Sequence, residues 1–424
     1  MKGEYLKRIA DEVLQDNLDS SGAVLIIGPK WCGKSTTAER VAKSVVYMQD
    51  KTNQEQNIEL ARLNPKLFLD NPAPMLIDEW QIIPFIWDSI RFEVDQRDEF
   101  GQFILTGSST AKKADENAHS GIGRITKMVM RPMSLYESQD SNGTVSLQSL
   151  FEGDMDIGAK CDKELLDYAF FTCRGGWPKS IGQREKVALN LAKNYYNGLV
   201  DEDIKDIDGV KRDRFKVEAI LKSYARNIGS QVSMETLLDD VKNFDNTDMG
   251  LSTIKDYLDA LRKLYVIDDT PAWNPNLRSK TAVRTSPTRY FVDPSIACSA
   301  LGIGPRDLIN DLNTFGLLFE CLCVRDLKIY AEKNEGSVYH YRDKNGLEAD
   351  AVIHFRNGNW APVEVKLGNP DKIDESAKNL LKLAENIDTT KMKKPSFLMI
   401  VTATPYAYKR EDGVLVVPIG CLKD

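Results

Sequence analysis

Residues 28–35 read Gly-Pro-Lys-Trp-Cys-Gly-Lys-Ser: two glycines separated by four residues, then a lysine and a serine. The apolar run Ala23–Ile27 precedes them and reads as a buried parallel strand. Residues 36–47 follow and read as a helix. Strand, glycine turn and helix in that order leave few folds open, because the helix N-terminus must face back over the end of the strand. Gly28 and Gly33 let the backbone N–H groups turn inward around an anion. The helix N-terminus adds partial positive charge. On this reading Lys34 reaches the β- and γ-phosphate oxygens of a nucleotide, and the Ser35 hydroxyl sits on Mg2+. Pro29, Lys30, Trp31, Cys32 and Thr36 complete the loop that wraps the phosphates.

Residues 75–79, Met-Leu-Ile-Asp-Glu, form an apolar run that ends in two acids. Asp78 lies 44 residues beyond Lys34, room for a strand and a helix between. Asp78 is expected to hold the metal and Glu79 to position or deprotonate the attacking water. A third strand, Phe103–Thr106, leads into Gly107-Ser108-Ser109. Either serine, Ser108 foremost, is a candidate contact for the γ-phosphate or the water. Arg124 and Arg131 are candidates to neutralise transition-state charge, from the same chain or from a neighbouring copy.

The segments GPKWCGKST, MLIDEW, FILTGSS and RPMSLYE, in this order and spacing, resemble the AAA-type ATPases of prokaryotes related to the archaeal-ATPase and STAND group. The resemblance covers about residues 18–140. It implies a doubly wound parallel sheet, Mg-ATP as ligand, and hydrolysis coupled to movement of attached domains.

The chain of 424 residues exceeds one typical core, so two to four domains are expected. No apolar stretch approaches the ~20 residues that span a bilayer. The start, MKGEYLKRIADEVL, lacks the apolar centre of a signal peptide. A cytoplasmic protein without a membrane partner is therefore expected. The seven cysteines are scattered and include no C-x-x-C pair, and only three histidines are present, so no zinc site is expected. The net charge of −7 disfavours tight non-specific nucleic-acid binding by the whole surface.

Residues 141–160 are rich in Gly, Ser and Asp and read as a linker or mobile loop. Residues 186–228 carry apolar positions Val217, Ile220, Leu221 and Tyr224 at helical spacing, as a packing lid would. Two short helices follow. The second has Ser252 as its expected cap and Ile254, Leu258, Leu261 and Leu264 as its apolar face. Tyr265–Trp273 then alternates like a strand, and the whole suggests a winged helix. Lys255, Arg262 and Lys263 could meet phosphates, while Asp256 and Asp259 oppose that. Residues 274–289 hold four Lys or Arg and no acid, which suits either a phosphate backbone or an acidic neighbouring domain.

Near the end, Asp350 is followed fourteen residues later by Glu364-Val365-Lys366. In a strand, residues two apart share a face, so Glu364 and Lys366 point the same way and Asp350 on the next strand can meet them. Two carboxylates can hold Mg2+ and a lysine can orient a water for phosphodiester attack. Glu320, on an apolar helix upstream, could complete the set. This pattern resembles the PD-(D/E)xK restriction-endonuclease-like superfamily, although Ala349 stands where proline is usual. Together the two halves resemble a widespread bacterial and archaeal family of uncharacterised AAA ATPases with such a domain at the C-terminus.

The expected architecture is thus α/β throughout. An AAA core spans 1–140, a linker and helical lid 141–229, a winged-helix-like module 230–289, and a nuclease-like α/β domain 290–424. ATP and Mg2+ are the expected cofactors. Nucleic acid, a protein partner and a second copy of the chain are the candidate partners. The competing expectation is a nucleotide-dependent interaction switch whose nuclease-like domain only docks a partner.

Overall fold

The computed structural model describes residues 5–107, 121–204, 210–245, 248–275 and 286–424. Ser108 and Ser109, and most of the basic segment 274–289, lie outside the described residues. Five strands make the first sheet: β1 (Ala23–Ile27), β2 (Ser44–Tyr47), β3 (Met75–Asp78), β4 (Phe103–Gly107) and β5 (Ile125–Val129). They run parallel in the order β2-β3-β4-β1-β5. Strands β1, β3 and β4 are buried at every position, because helices cover both faces of the sheet. Val24 and Ile26 pack with Leu14 and Leu18 of α1 (Ile9–Ser20) and Ala38 of α2 (Lys34–Val41). Leu25 and Ile27 share the opposite core with Ala61 of α3 (Gln54–Leu63), Phe68 of α4 (Pro65–Leu69) and Ile90 of α5 (Ile86–Arg97).

The helix after the glycine loop stops at Val41, short of the expected Tyr47. Ala42 adopts extended backbone, and the β-branched pair Val45-Val46 carries the chain into β2 beside β3.

Residues 141–160 are not the loop that their composition suggests. They form β6 (Val145–Ser146), α6 (Leu147–Glu152) and β7 (Ala159–Lys160). Val145, Leu147 and Leu150 are buried, and the Ser146 hydroxyl caps α6. Three apolar side chains, diluted by polar neighbours in the sequence, anchor the segment. A helical layer follows, with α7 (Leu165–Arg174), α8 (Glu185–Gly198) and α9 (Arg214–Arg226). The expected apolar positions Val217, Ile220, Leu221 and Tyr224 are all buried there.

Next come α10 (Met234–Asp245) and α11 (Leu251–Lys263). The expected face of α11, from Ile254 to Leu264, is buried. Its N-cap residue is Gly250, so Ser252 lies inside the first turn and not at the cap. Antiparallel bridges Ile267–Phe291 and Thr270–Thr288 then bring the chain back on itself.

After α12 (Pro294–Leu301) and α13 (Pro305–Asn310) comes the long α14 (Leu312–Lys333). It introduces a second sheet with β8 (Gly336–Arg342), β9 (Glu348–Phe355), β10 (Trp360–Lys366), β11 (Met399–Thr402), β12 (Tyr406–Lys409) and β13 (Leu415–Pro418). The spatial order is β7-β12-β13-β11-β10-β9-β8, so β7 from the supposed linker is an edge of this sheet. Only β10-β11 and β11-β13 are parallel pairs. Phe319 and Leu322 of α14 share one core with Val363 and Val401. On the other face Ile373, Ala377 and Leu380 of α15 (Pro370–Glu385) pack with Val352, Ile400 and Val416. The final strand β14 (Leu422–Lys423) pairs with β6.

Candidate functional site

The glycine loop leaves the C-terminal end of β1 and enters α2 at Lys34. Gly28 holds φ of 151°, and a Cβ there would lie 2.1 Å from the Met130 carbonyl oxygen, so the position admits only glycine. Lys34 curls back over its own loop and donates to the Gly28 and Pro29 carbonyls at 2.9 and 2.8 Å. Asp78 ends β3, with β4 lying between β3 and β1. The Ser35 hydroxyl crosses that gap and donates to Asp78 Oδ1 at 2.6 Å. The Thr106 hydroxyl, on β4, donates to the same oxygen at 2.6 Å. Three hard oxygen donors from three separate elements thus converge beside the lysine. Thr106 was missed in the sequence because its place inside an apolar strand read as core. Its register partner on β3 is Asp78, and that pairing could have exposed it. Glu79 follows in left-handed backbone with φ of 57° and accepts a hydrogen bond from the Gln81 amide.

Neither expected arginine is brought to the loop. Arg124 adjoins the opposite end of the sheet, where its carbonyl accepts from Ala23 N. That is one strand length, about 16 Å, from the loop. Its side chain pairs with Asp95 at 2.8 Å. Arg131 stands nearer, but its guanidinium is tied to Asp268 at 2.7 Å and to Glu332. The cation the sequence did not single out is Arg8, which is 4% exposed. It donates to the carbonyls of Cys32 at 2.9 Å and Arg131 at 2.8 Å, and faces Glu137 at 3.0 Å. It therefore braces the loop from beneath.

The rest of the loop leans on the helical layer. Lys30 pairs with Asp203 at 2.5 Å. The half-exposed Trp31 meets the Tyr195 ring edge-on, and Tyr195 stacks on Trp177 at 4.0 Å between centroids. Cys32 is buried, and Thr36 lies in the first turn of α2.

In the second sheet, Asp350 on β9 and Glu364 and Lys366 on β10 meet as the alternation predicts. The Lys366 ammonium lies 3.1 Å from Asp350 Oδ2 and 2.7 Å from Glu364 Oε2. Val365 N also donates to Asp350 at 2.8 Å. This is no exposed sheet face: Glu364 is 3% exposed, beneath α15, where Ser376 donates to it at 3.3 Å. Its other oxygen, Oε1, is buried without a partner among the described residues. Burial first, then repulsion by Asp350, pushes the Glu364 carboxyl up to about 8 against the pull of Lys366. Glu320 on α14 accepts from the Tyr290 hydroxyl, and burial followed by Asp350 repulsion holds it well above the carboxylate range. Among the described residues no three His, Cys, Asp or Glu side chains form a ready metal cage.

The two sites are joined through α14. Asp326 accepts from Leu135 N at 2.9 Å, and Arg325 pairs with Asp326 at 2.7 Å and Asp293 at 2.8 Å. Farther along, Glu332 and Lys328 surround the Arg131–Asp268 pair. Burial opposes charge on Asp268, but Arg131 and Lys328 hold it well below the usual carboxylate range. The RPMSLYE segment is therefore tied to α14 at both ends of this contact.

Three family models match parts of the chain. An AAA domain matches residues 20–139, and two domains of unknown function, DUF8612 and DUF4143, match residues 165–307 and 315–422. No curated protein matches. Among solved structures the chain is similar to the Walker-type ATPase PABY2304 of Pyrococcus abyssi, with 13% identity and a TM-score of 0.42. That match covers 70% of this chain and 96% of the other. No helix among the described residues is long and apolar enough to cross a membrane. The glycine loop, the acids that close β3 and the matching AAA model together make the N-terminal region a P-loop ATPase domain, built for nucleotide binding and hydrolysis.

Proposed function

We propose that the protein is a Mg2+-dependent ATPase whose C-terminal domain binds or cuts nucleic acid. The division into AAA core, lid, winged-helix module and nuclease-like domain belongs to the same reading. On the ATPase side Ser35 and Asp78 supply the hard oxygens that suit Mg2+, which would neutralise phosphate charge. Lys34 exchanges two neutral carbonyls for phosphate oxygens, and Glu79 takes the proton of the attacking water.

The observation that carries the C-terminal half is Lys366 held between Asp350 and Glu364 on adjacent strands. The orphaned Glu364 Oε1 marks an acceptor that a divalent cation would satisfy. Asp350 and Glu364 would hold such an ion, and Lys366 would orient a water toward a phosphodiester. The test incubates the protein with single- and double-stranded DNA and RNA, Mg2+ or Mn2+, with and without ATP, beside Lys366→Ala. Cleavage lost in the variant is the expected result. Intact nucleic acid beside normal ATP hydrolysis would overturn it.

The second reading, a nucleotide-dependent interaction switch, draws on a different observation. The ammonium of Lys366 is already neutralised by its own carboxylates. Particle size with and without a non-hydrolysable ATP analogue separates the two readings, since a switch changes size or partner while Asp350→Ala and Lys366→Ala leave nucleic acid untouched.

A further inference from the structure

The short turn after β3 contains an amide that the ATPase reading leaves unused. Trp80–Ile82 forms one turn of 3-10 helix, and it begins at Glu79 in left-handed backbone. This turn aims the Gln81 side chain back along the chain, so that Nε2 donates to Glu79 Oε2. The amide's other end, Oε1, is buried and has no partner among the described residues. It lies against the end of β4: a Cβ on Gly107 would stand 2.7 Å from it and 3.3 Å from Trp80 Nε1. Only a residue without a side chain lets the amide occupy this place. Trp80 Nε1 is likewise buried without a partner. Leaving a buried acceptor unpaired costs roughly 1–3 kcal/mol, so the placement is a poor choice for packing alone. It makes sense if the geometry of Glu79 is what the amide serves.

We propose that Gln81 is a positioning residue for ATP hydrolysis, holding the Glu79 carboxylate in the orientation from which it accepts the proton of the attacking water. This rests on the role given to Glu79 above. Glu79 lies in no regular element and is only half-buried, so its side chain has rotamers to lose. The Gln81 amide removes them in advance, by a bond to the charged form.

The test uses the full-length chain and three variants. Gln81→Ala is expected to lower kcat at least ten-fold with nucleotide affinity, read by binding of a non-hydrolysable analogue, within two-fold of wild type. Gln81→Glu keeps the size and puts a second carboxylate beside Glu79. Lacking the amide donor, it should lose kcat to a similar extent, again with affinity within two-fold of wild type. Packing loss alone would lower the melting temperature of Gln81→Ala but spare kcat in the size-matched variant. Glu79→Gln is the control for the underlying reading, and normal turnover there removes the base and this inference with it. A dead Glu79→Gln beside Gln81 variants with wild-type kcat overturns only the role of Gln81. A higher kcat in Gln81→Ala overturns it too, since the amide would then restrain Glu79.

Discussion

Each half of the molecule presents one lysine to a pair of oxygens, and the pairs differ. Lys34 rests on two backbone carbonyls, which are neutral. Lys366 rests on two carboxylates. A neutral cradle leaves the charge of Lys34 uncancelled, so an arriving phosphate gains its full attraction. At the other site the charge is cancelled in advance, and any metal must compete with Lys366 for the same acids. One site is poised to receive an anion; the other is arranged to hold a cation that it already has.

The largest effect that could break this contrast is at the loop. Lys34→Ala should abolish nucleotide binding, as measured by titration with a fluorescent ATP analogue. Retained binding would mean that backbone N–H groups alone carry the affinity.

Next in size is the junction between the two halves. Arg131→Ala leaves Asp268 facing Lys328 alone and Glu332 without its partner arginine. Arg131, Asp268 and Glu332 are partly buried, so the loss should fall below the about 3–5 kcal/mol of a fully buried pair, readable as a lower midpoint in urea. An unchanged midpoint would show the halves to be energetically separate.

The C-terminal carboxylates give a pH signature. The folded pKa of Glu364 is raised to about 8, from an ordinary value of 4.5. The folded state therefore binds more protons than the unfolded state between those values. The stability it contributes is fully present below pH 4.5 and is lost as pH rises through about 8. Glu364→Gln mimics the protonated form, so its melting temperature should gain on wild type steadily from pH 5 to pH 9. Parallel curves would place the carboxyl in contact with solvent.

The smallest expected change has the opposite sign to the first. Lys366→Ala should tighten Mn2+ binding by about ten-fold, roughly 1.4 kcal/mol, because the competing cation is gone. Isothermal titration checks it, and weaker binding would make the lysine part of the metal's support.

The two sites were also unequally legible. The loop and the acids proposed to hold the metal and take the proton sit in two unbroken stretches, 28–36 and 78–79, where backbone geometry dictates residue type. Gly28, Lys34, Ser35 and Asp78 therefore stand where the motif puts them. The C-terminal set needed only strand alternation to bring Asp350 to Lys366, but alternation said nothing of the helix above, which buries Glu364. The surroundings of the two arginines were not legible, because a single charged residue carries no geometry. Arg131 is spent on Asp268 and Glu332, partners far along the chain, whereas Arg8 precedes the motif altogether. Segment 141–160 was misread for a related reason: its strands exist only through partners at 406–407 and 422–423.

That last pairing has a consequence for how the chain is made. During synthesis Val145 and Ser146 leave the ribosome long before Leu422 and Lys423 exist. At ordinary elongation rates the wait is some tens of seconds, and for that time the apolar side chains of Val145, Leu147 and Leu150 lack their final cover. The second sheet, too, cannot gain its β7 edge until the opposite end of the chain arrives. The nascent protein is therefore at its most vulnerable in the segment whose composition looks least in need of shelter, and chaperones would have their longest opportunity there.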